Sequence, residues 1–222
     1  MSVVLVDQRA RPGGHWNDSY PFVTLHQPCR NYGVESRPME DGVADRDELR
    51  ATRDEILQYY SAVLEGFAER KVTFVPSVAY DFATRALTPA GGAEGAPITV
   101  DAQTVVDCRW TENDLPVFVP PKFAFDAEAI DLIPPNELPA RREAGTGREH
   151  YCVLGAGKTG QDTVIYLQEQ LNVPPENIAW VMPTDPWITA RDPPQMDTCM
   201  EFIDVCVQAA TAAGVSHPHD HS

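Results

Sequence analysis

The sequence predicts an α/β fold in which parallel strands are joined through helices, and three observations carry that expectation. An apolar, β-branched run at Ser2–Val6 is followed, after a long loop, by an amphipathic helical pattern and a second apolar run at Val72–Val75. Near position 150 the same order recurs, with Tyr151–Leu154 leading through a glycine-rich turn into a helical pattern and then into Ile178–Met182. Strands alternating with helices read as parallel pairing, because parallel neighbours need a crossover long enough to hold a helix. Between the two blocks, prolines at 116, 120, 121, 134, 135 and 139 break the pattern.

Ser2–Val6 reads as a short buried strand. It ends in Asp7, and the chain breaks at Arg11-Pro12-Gly13-Gly14. An acid at the tip of the second strand of a dinucleotide unit accepts hydrogen bonds from a ribose, and an acid at any strand end can open a turn. Both readings of Asp7 stay open. Residues 15–45 form a loop carrying Trp16, Tyr20, Phe22, His26 and Tyr32. Its aromatic content argues for packing, either as a cover over the core or as a lining for a flat ligand. His26 is a candidate catalytic or hydrogen-bonding group without an identifiable carboxylate partner.

Thr52-Arg53-Asp54-Glu55 has the form of a capping box. Ile56, Leu57, Tyr60, Val63, Leu64, Phe67 and Ala68 then follow at helical spacing, so a helix is expected to about Arg70. Val72–Val75 reads as a strand, Val78–Leu87 as another, and Pro89–Pro97 as a turn or loop. Ile98–Val100 and Thr104–Asp107 complete the expected strands. The proline density of Leu115–Pro139 excludes helix and interior strand, and Ala140–Glu149 extends this connector. The expected division is 1–114, a connector at 115–149, and 150–222.

The chemistry concentrates in Gly155-Ala156-Gly157-Lys158-Thr159-Gly160, a G-x-G-x-x-G placed between strand and helix as a dinucleotide fingerprint requires. Gly155 would allow the tight turn, Gly157 would admit a pyrophosphate to the backbone, and Gly160 would let helix and strand pack closely. The helix start adds N–H groups and a positive dipole end, and Lys158 adds a charge beside them. Gly157-Lys158-Thr159 also matches the end of a P-loop, but that motif needs a glycine where Cys152 stands. Beyond the turn, Val164, Leu167 and Leu171 form an inner helical face that ends near Asn172-Val173-Pro174-Pro175. Ile178–Met182 closes a unit expected to be right-handed. Asp185 follows its tip, 25 residues past Gly160, where an acid selects NAD over NADP. The extra turn before this strand lengthens the spacing, so cofactor choice stays open.

Asp197–Ala213 places Cys199, Phe202, Ile203, Cys206 and Ala210 on one helical face. The tail His217-Pro218-His219-Asp220-His221 reads as a polar terminus rather than a metal site. The 222 residues allow one large or two small domains. With 33 acidic against 17 basic residues and a formal charge of −16, the chain would repel a phosphate backbone, which argues against nucleic-acid partners. No apolar run reaches membrane-spanning length, and the first residues lack a basic region or cleavage signature. Five cysteines without C-x-x-C spacing suggest free thiols, and the cytoplasm is the expected compartment.

Two of these stretches carry a family resemblance. Val3–Asp7 followed by Gly13-Gly14-His15-Trp16 resembles the second strand and GG-x-W turn of FAD-dependent, two-dinucleotide-domain oxidoreductases, which include the flavin-containing and Baeyer–Villiger monooxygenases. Tyr151–Asp162 resembles the NAD(P)H-binding turn of that superfamily, and Leu25-His26-Gln27-Pro28 and the proline-rich crossover are similar to its inter-domain layout. The resemblance implies two Rossmann-like three-layer units and a reaction in which NAD(P)H reduces FAD for an unidentified small-molecule substrate. It implies Asp7 at the FAD ribose, Gly13, Gly14, Trp16 and His26 along the cofactor, and Gly155–Gly160 at the nicotinamide dinucleotide. The family's opening strand and first G-x-G-x-x-G are not found before Ser2, an F-x-G-x-x-x-H fingerprint is not found, and the second unit is short. The expectation is therefore a fragment, lacking the first unit's opening and incomplete in the second, in which binding is expected ahead of turnover. A non-catalytic dinucleotide-binding module and a degenerate P-loop NTPase are the alternatives.

Overall fold

The strand β1 (Val3–Val6) lies parallel to a later strand, and the helix between them explains how the chain returns to that pairing. In this computed structural model residues 2–39, 50–68, 70–92, 95–109 and 117–184 are described. After β1 the loop makes two short 3-10 turns, Gly14–Asp18 and Cys29–Asn31, and a two-residue hairpin of β2 (Gly33–Val34) and β3 (Arg37–Pro38). Helix α1 (Arg53–Ala68) then leads into β4 (Val72–Val75), which pairs with β1 in register from Val3–Val72 to Val6–Val75.

The expected capping box starts α1. The Thr52 N–H donates to Glu55 Oε2 at 2.8 Å, and the Glu55 N–H points back at Thr52 Oγ1 at 3.4 Å. Ile56, Tyr59 and Val63 form the buried stripe of the helix. Ile56 closes a core with Leu25, Cys29 and Ala51, against which Trp16, Tyr32, Met39 and Tyr60 pack. Backbone bonds from Leu25 to Ala51 and from Arg53 to Val23 stitch the loop to the helix start. Trp16 and Tyr32 of the aromatic loop thus cover the core against α1.

β1 itself corrects an expectation, since Val3, Val4 and Leu5 are 40%, 54% and 42% exposed. Alternate residues point to opposite faces of a strand, so neither face of β1 is covered. Among the described residues it has β4 on one edge and no strand on the other.

The run expected as one strand at Val78–Leu87 is instead a hairpin of β5 (Val78–Asp81) and β6 (Ala86–Pro89), with β7 (Ile98–Thr99) added to β6. Asp81 makes the turn: its Oδ1 accepts from the Ala83 N–H at 2.8 Å, its Oδ2 accepts from the Thr84 hydroxyl at 2.8 Å, and Arg85 takes a φ of 56°. Thr104–Asp107 forms no strand, and Val106 is 74% exposed. A strand needs a partner for its ladder, and none lies beside this segment among the described residues. Ile98 is exposed as well, although β7 pairs with β6.

From residue 117 the connector is irregular until a 3-10 turn at Pro135–Glu137 and the helix α2 (Leu138–Glu143), where no helix was expected. Pro139 is tolerated because it stands in the first turn, where its missing N–H has no helical partner to lose. Leu138 joins Val153, Leu167 and Val173 in a second core.

β8 (Tyr151–Leu154) and β9 (Ile178–Val181) are parallel and in register, joined through α3 (Lys158–Ile165) and a π-helical turn, Tyr166–Gln170. Leu167 is buried, with Val164 and Leu171 packed beside it, as the sequence predicts. Asn172, at φ 53°, and Pro174 end the helical segment. Val153 faces this core, whereas Cys152, Leu154 and Val181 are exposed on the opposite face. Cys29, Cys108 and Cys152 are free thiols. The expected helix over Asp197–Ala213, the histidine tail and Asp185 lie outside the described residues.

Candidate functional site: the glycine turn after β8

At the tip of β8 the chain turns in three residues. Gly155 has a φ of +121°, a conformation only glycine adopts without strain, and its N–H donates to the Val181 carbonyl at 2.9 Å. Its own carbonyl oxygen accepts from the Trp180 indole Nε1 at 2.8 Å, so β9 fixes both polar groups of the residue. Ala156 is buried under the turn. Gly160 lies one helical turn on, where an added β-carbon would collide with the Gly155 carbonyl oxygen. Helix and strand can approach this closely only without a side chain there.

Gly157 differs from both. Its φ of −72° suits any residue, and an added β-carbon would meet nothing within 4 Å. Its lack of a side chain therefore serves neither backbone strain nor internal packing. It leaves open the space in front of α3. Gly157 is also the N-cap residue, with no side-chain cap, so the first-turn N–H groups of Lys158, Thr159 and Gly160 have no partner inside the helix. Backbone donors, the positive end of the helix dipole and a glycine-cleared approach are the features by which a helix start can attract an anion.

Side chains surround this turn. The Lys158 ammonium contacts Asp162 Oδ2, and the same oxygen accepts from the Tyr20 hydroxyl at 2.7 Å. Burial and the neighbouring Asp162 raise the Tyr20 phenol well above its ordinary range. Phe22 stacks on Tyr166 with ring centroids 4.1 Å apart, and Asn136 Nδ2 donates to the Asp18 carbonyl at 2.8 Å. The early aromatic loop is thereby anchored to α3 as well as to α1.

Other expected site residues lie elsewhere. Asp7 Oδ1 accepts from the Arg9 N–H at 2.8 Å, the strand-end turn that was one of its two readings. Gly13, at φ +113°, could not carry a β-carbon without meeting Leu57 Cδ2 at 2.6 Å. Gly14, at φ +53°, faces open space, and Trp16 packs on the α1 core beside His15. Burial and the positive charge of Arg9 lower the pKa of His15. His26 is exposed. Cys152 stands within β8, so the loop before α3 is only Gly155–Gly157, too short for the longer phosphate cradle of a P-loop.

A cleft of about 300 Å³ lies against α1, lined by Arg37, Met39, Glu55, Gln58 and Tyr59, and includes none of the expected site residues. No group of three potential metal ligands occurs among the described residues. No helix among them is long and apolar enough to cross a membrane. Sequence reasoning missed Asp162, Tyr20 and Trp180 as parts of the turn. The i,i+4 spacing of Lys158 and Asp162 was a usable signal, whereas the other two contacts span 142 and 25 residues.

The chain is 36% identical over 198 residues to the uncharacterized protein Mb2023 of Mycobacterium bovis and to the uncharacterized proteins MT2056 and Rv2000 of Mycobacterium tuberculosis. The match covers 85% of this chain and 35% of each relative, so the chain spans about a third of the length of these curated relatives. No family model and no solved structure matches.

Proposed function

We propose that the Gly155–Gly160 turn binds the pyrophosphate of NAD(P)H, and that the chain is part of a flavin-dependent oxidoreductase in which NAD(P)H reduces FAD. The observation that carries the first half is the division of labour among the glycines. Gly155 is needed for its backbone conformation and Gly160 for close packing, while Gly157 is needed for neither and clears the approach to uncapped N–H groups. An ordinary βα turn accounts for the first two and gives no reason for the third. In this reading the N–H groups of the first turn of α3 hold the pyrophosphate, with Lys158 and Thr159 beside it.

The flavin half rests on the resemblance of Val3–Asp7 and Gly13–Trp16 and on the fit of that loop. Gly14 leaves open space, and the second Asp7 carboxylate oxygen has capacity to accept from a ribose hydroxyl. The corresponding fold is a pair of Rossmann-like dinucleotide-binding units over 1–114 and 150–222, with 115–149 between them. When bound, the nicotinamide supplies a hydride and the flavin accepts it. The chain's own residues bind and orient, and oxygen-using chemistry on a small-molecule substrate is one outcome of the longer protein. A cytoplasmic location belongs to the same proposal.

Titration with NADH, NADPH and FAD, each followed by thermal shift, tests the reading. A response to either nicotinamide dinucleotide is expected. Silence towards all three would remove the functional reading. A response to NAD(P)H with no flavin absorbance, even after incubation with FAD, would identify a non-catalytic dinucleotide-binding module.

A further inference from the structure

The Lys158–Asp162 pair is placed poorly for stabilising its own helix. A lysine in the first turn faces the positive end of the dipole, and the acid lies four residues towards the C-terminus, the weaker of the two orders. The pair is also not solvated surface, since the lysine side chain is 29% and the aspartate side chain 17% exposed. A third group enters from far away in sequence: the buried Tyr20 donates to the same Oδ2 that the lysine contacts. Tyr20 and Lys158 thus meet on one carboxylate oxygen, at the mouth of the turn.

We propose that Asp162 is a positioning residue for anion binding at the glycine turn, with its Oδ2 acting as a common acceptor that Lys158 and Tyr20 share. This rests on the reading of the turn as a pyrophosphate site. A phosphate group in front of the first-turn N–H groups draws Lys158 towards itself, and the lysine must then give up Asp162. A half-buried carboxylate stripped of its cation is costly unless other donors satisfy it. Tyr20 is that donor, with its ring 4.8 Å from that of Phe22, which in turn stacks on Tyr166. Asp162 therefore weakens anion affinity, and Tyr20 restores part of it. The loop that carries Gly13–Trp16 is tied through Tyr20 to the charge at the second turn.

The test is a double-mutant cycle on the intact chain, with NADPH and inorganic pyrophosphate as separate calorimetric probes. Asp162→Asn keeps the shape and removes the charge. It is expected to tighten binding of both probes by roughly threefold to tenfold, the effect of deleting one partly screened negative charge near the site. Tyr20→Phe is expected to weaken binding by roughly twofold to fivefold, a fraction of the worth of one hydrogen bond to a charged group, because binding reads only how much that bond strengthens when Lys158 leaves Asp162. In the Asp162→Asn background the Tyr20→Phe effect should vanish. A second readout needs no nucleotide: brief acetylation with mass spectrometry should label Lys158, relative to Lys71, faster in Asp162→Asn than in the unaltered protein. Wild-type binding with unchanged or weaker binding by Asp162→Asn overturns this inference alone. An absence of binding by every variant overturns the pyrophosphate reading and this inference with it. Equal Lys158 labelling in the two proteins overturns the inference whatever the probes do.

Discussion

Two alanine substitutions three residues apart should have opposite consequences, and together they separate a structural turn from a binding turn. At Gly160 the new methyl group would collide with the backbone carbonyl oxygen of Gly155, which is itself held by the Trp180 indole. A backbone atom pinned on both sides cannot move aside as a side-chain tip can. Overpacking costs about 1–3 kcal/mol, and a collision with a fixed backbone atom belongs in the upper part of that range, about 2–3 kcal/mol. Alanine's better helix propensity returns at most about 1 kcal/mol. The net expectation is a loss of about 1–2 kcal/mol, a fall in Tm of about 2–8 °C for a chain of this size. At Gly157 the methyl meets nothing within 4 Å and the φ of −72° is already ordinary. Reduced unfolded-state entropy contributes about 0.4–1 kcal/mol, and the poorer N-cap offsets a similar amount, so stability should hold within about 0.5 kcal/mol. The methyl nevertheless stands where the pyrophosphate would meet the backbone, so NADPH binding should fall at least about tenfold, a loss of about 1.4 kcal/mol. Differential scanning fluorimetry without ligand and calorimetry with NADPH read both quantities. Undiminished NADPH binding by Gly157→Ala would refute the assignment of that glycine. An unchanged Tm in Gly160→Ala would refute the packing argument.

Thr52→Ala should remove the hydroxyl half of the α1 capping box; because the bond it accepts from the Glu55 N–H is long at 3.4 Å, the expected loss is about 0.5–1 kcal/mol, measured by urea denaturation. Asp107 should titrate at about 2 in an NMR pH series, because the Arg109 side chain and N–H both donate to its carboxylate. Its folded pKa lies below the ordinary value, so the contact is fully present above about pH 4 and is lost as pH falls through about 2. Arg109→Ala removes the side-chain donors and keeps the backbone N–H, so the Asp107 titration should move up part of the way towards the ordinary carboxylate range, and an unchanged titration would refute the side-chain pairing.

Local pattern made much of the secondary structure legible. The capping box and the i,i+3/i+4 stripe of α1, the apolar runs of β1, β4, β8 and β9, and the glycine spacing of the turn all act between neighbours in the chain. Such interactions leave a periodicity or a spacing in the sequence. The misreadings share the opposite character. Val78–Leu87 reads as one strand because its apolar content hides the side-chain bonds by which Asp81 reverses the chain. Thr104–Asp107 has strand-like composition, but ladder pairing depends on a neighbour that composition does not record. The helix α2 follows a proline cluster, and only the position of Pro139 within its first turn makes that possible.

The sequence by itself determined an α/β chain with parallel pairing and named the turn at Gly155–Gly160, because backbone freedom at glycine and the strand-to-helix context are local properties. The sequence assigns the three glycines separate roles, and only the tertiary structure supplies the reasons at two of them: the positive φ of Gly155 and the absence of room for a β-carbon at Gly160. The tertiary structure alone brought Tyr20 to Asp162 across 142 residues and set Trp180 against the Gly155 carbonyl. Contacts between distant segments depend on how the loop over α1 and the helix α3 pack, and no spacing within either segment encodes that geometry.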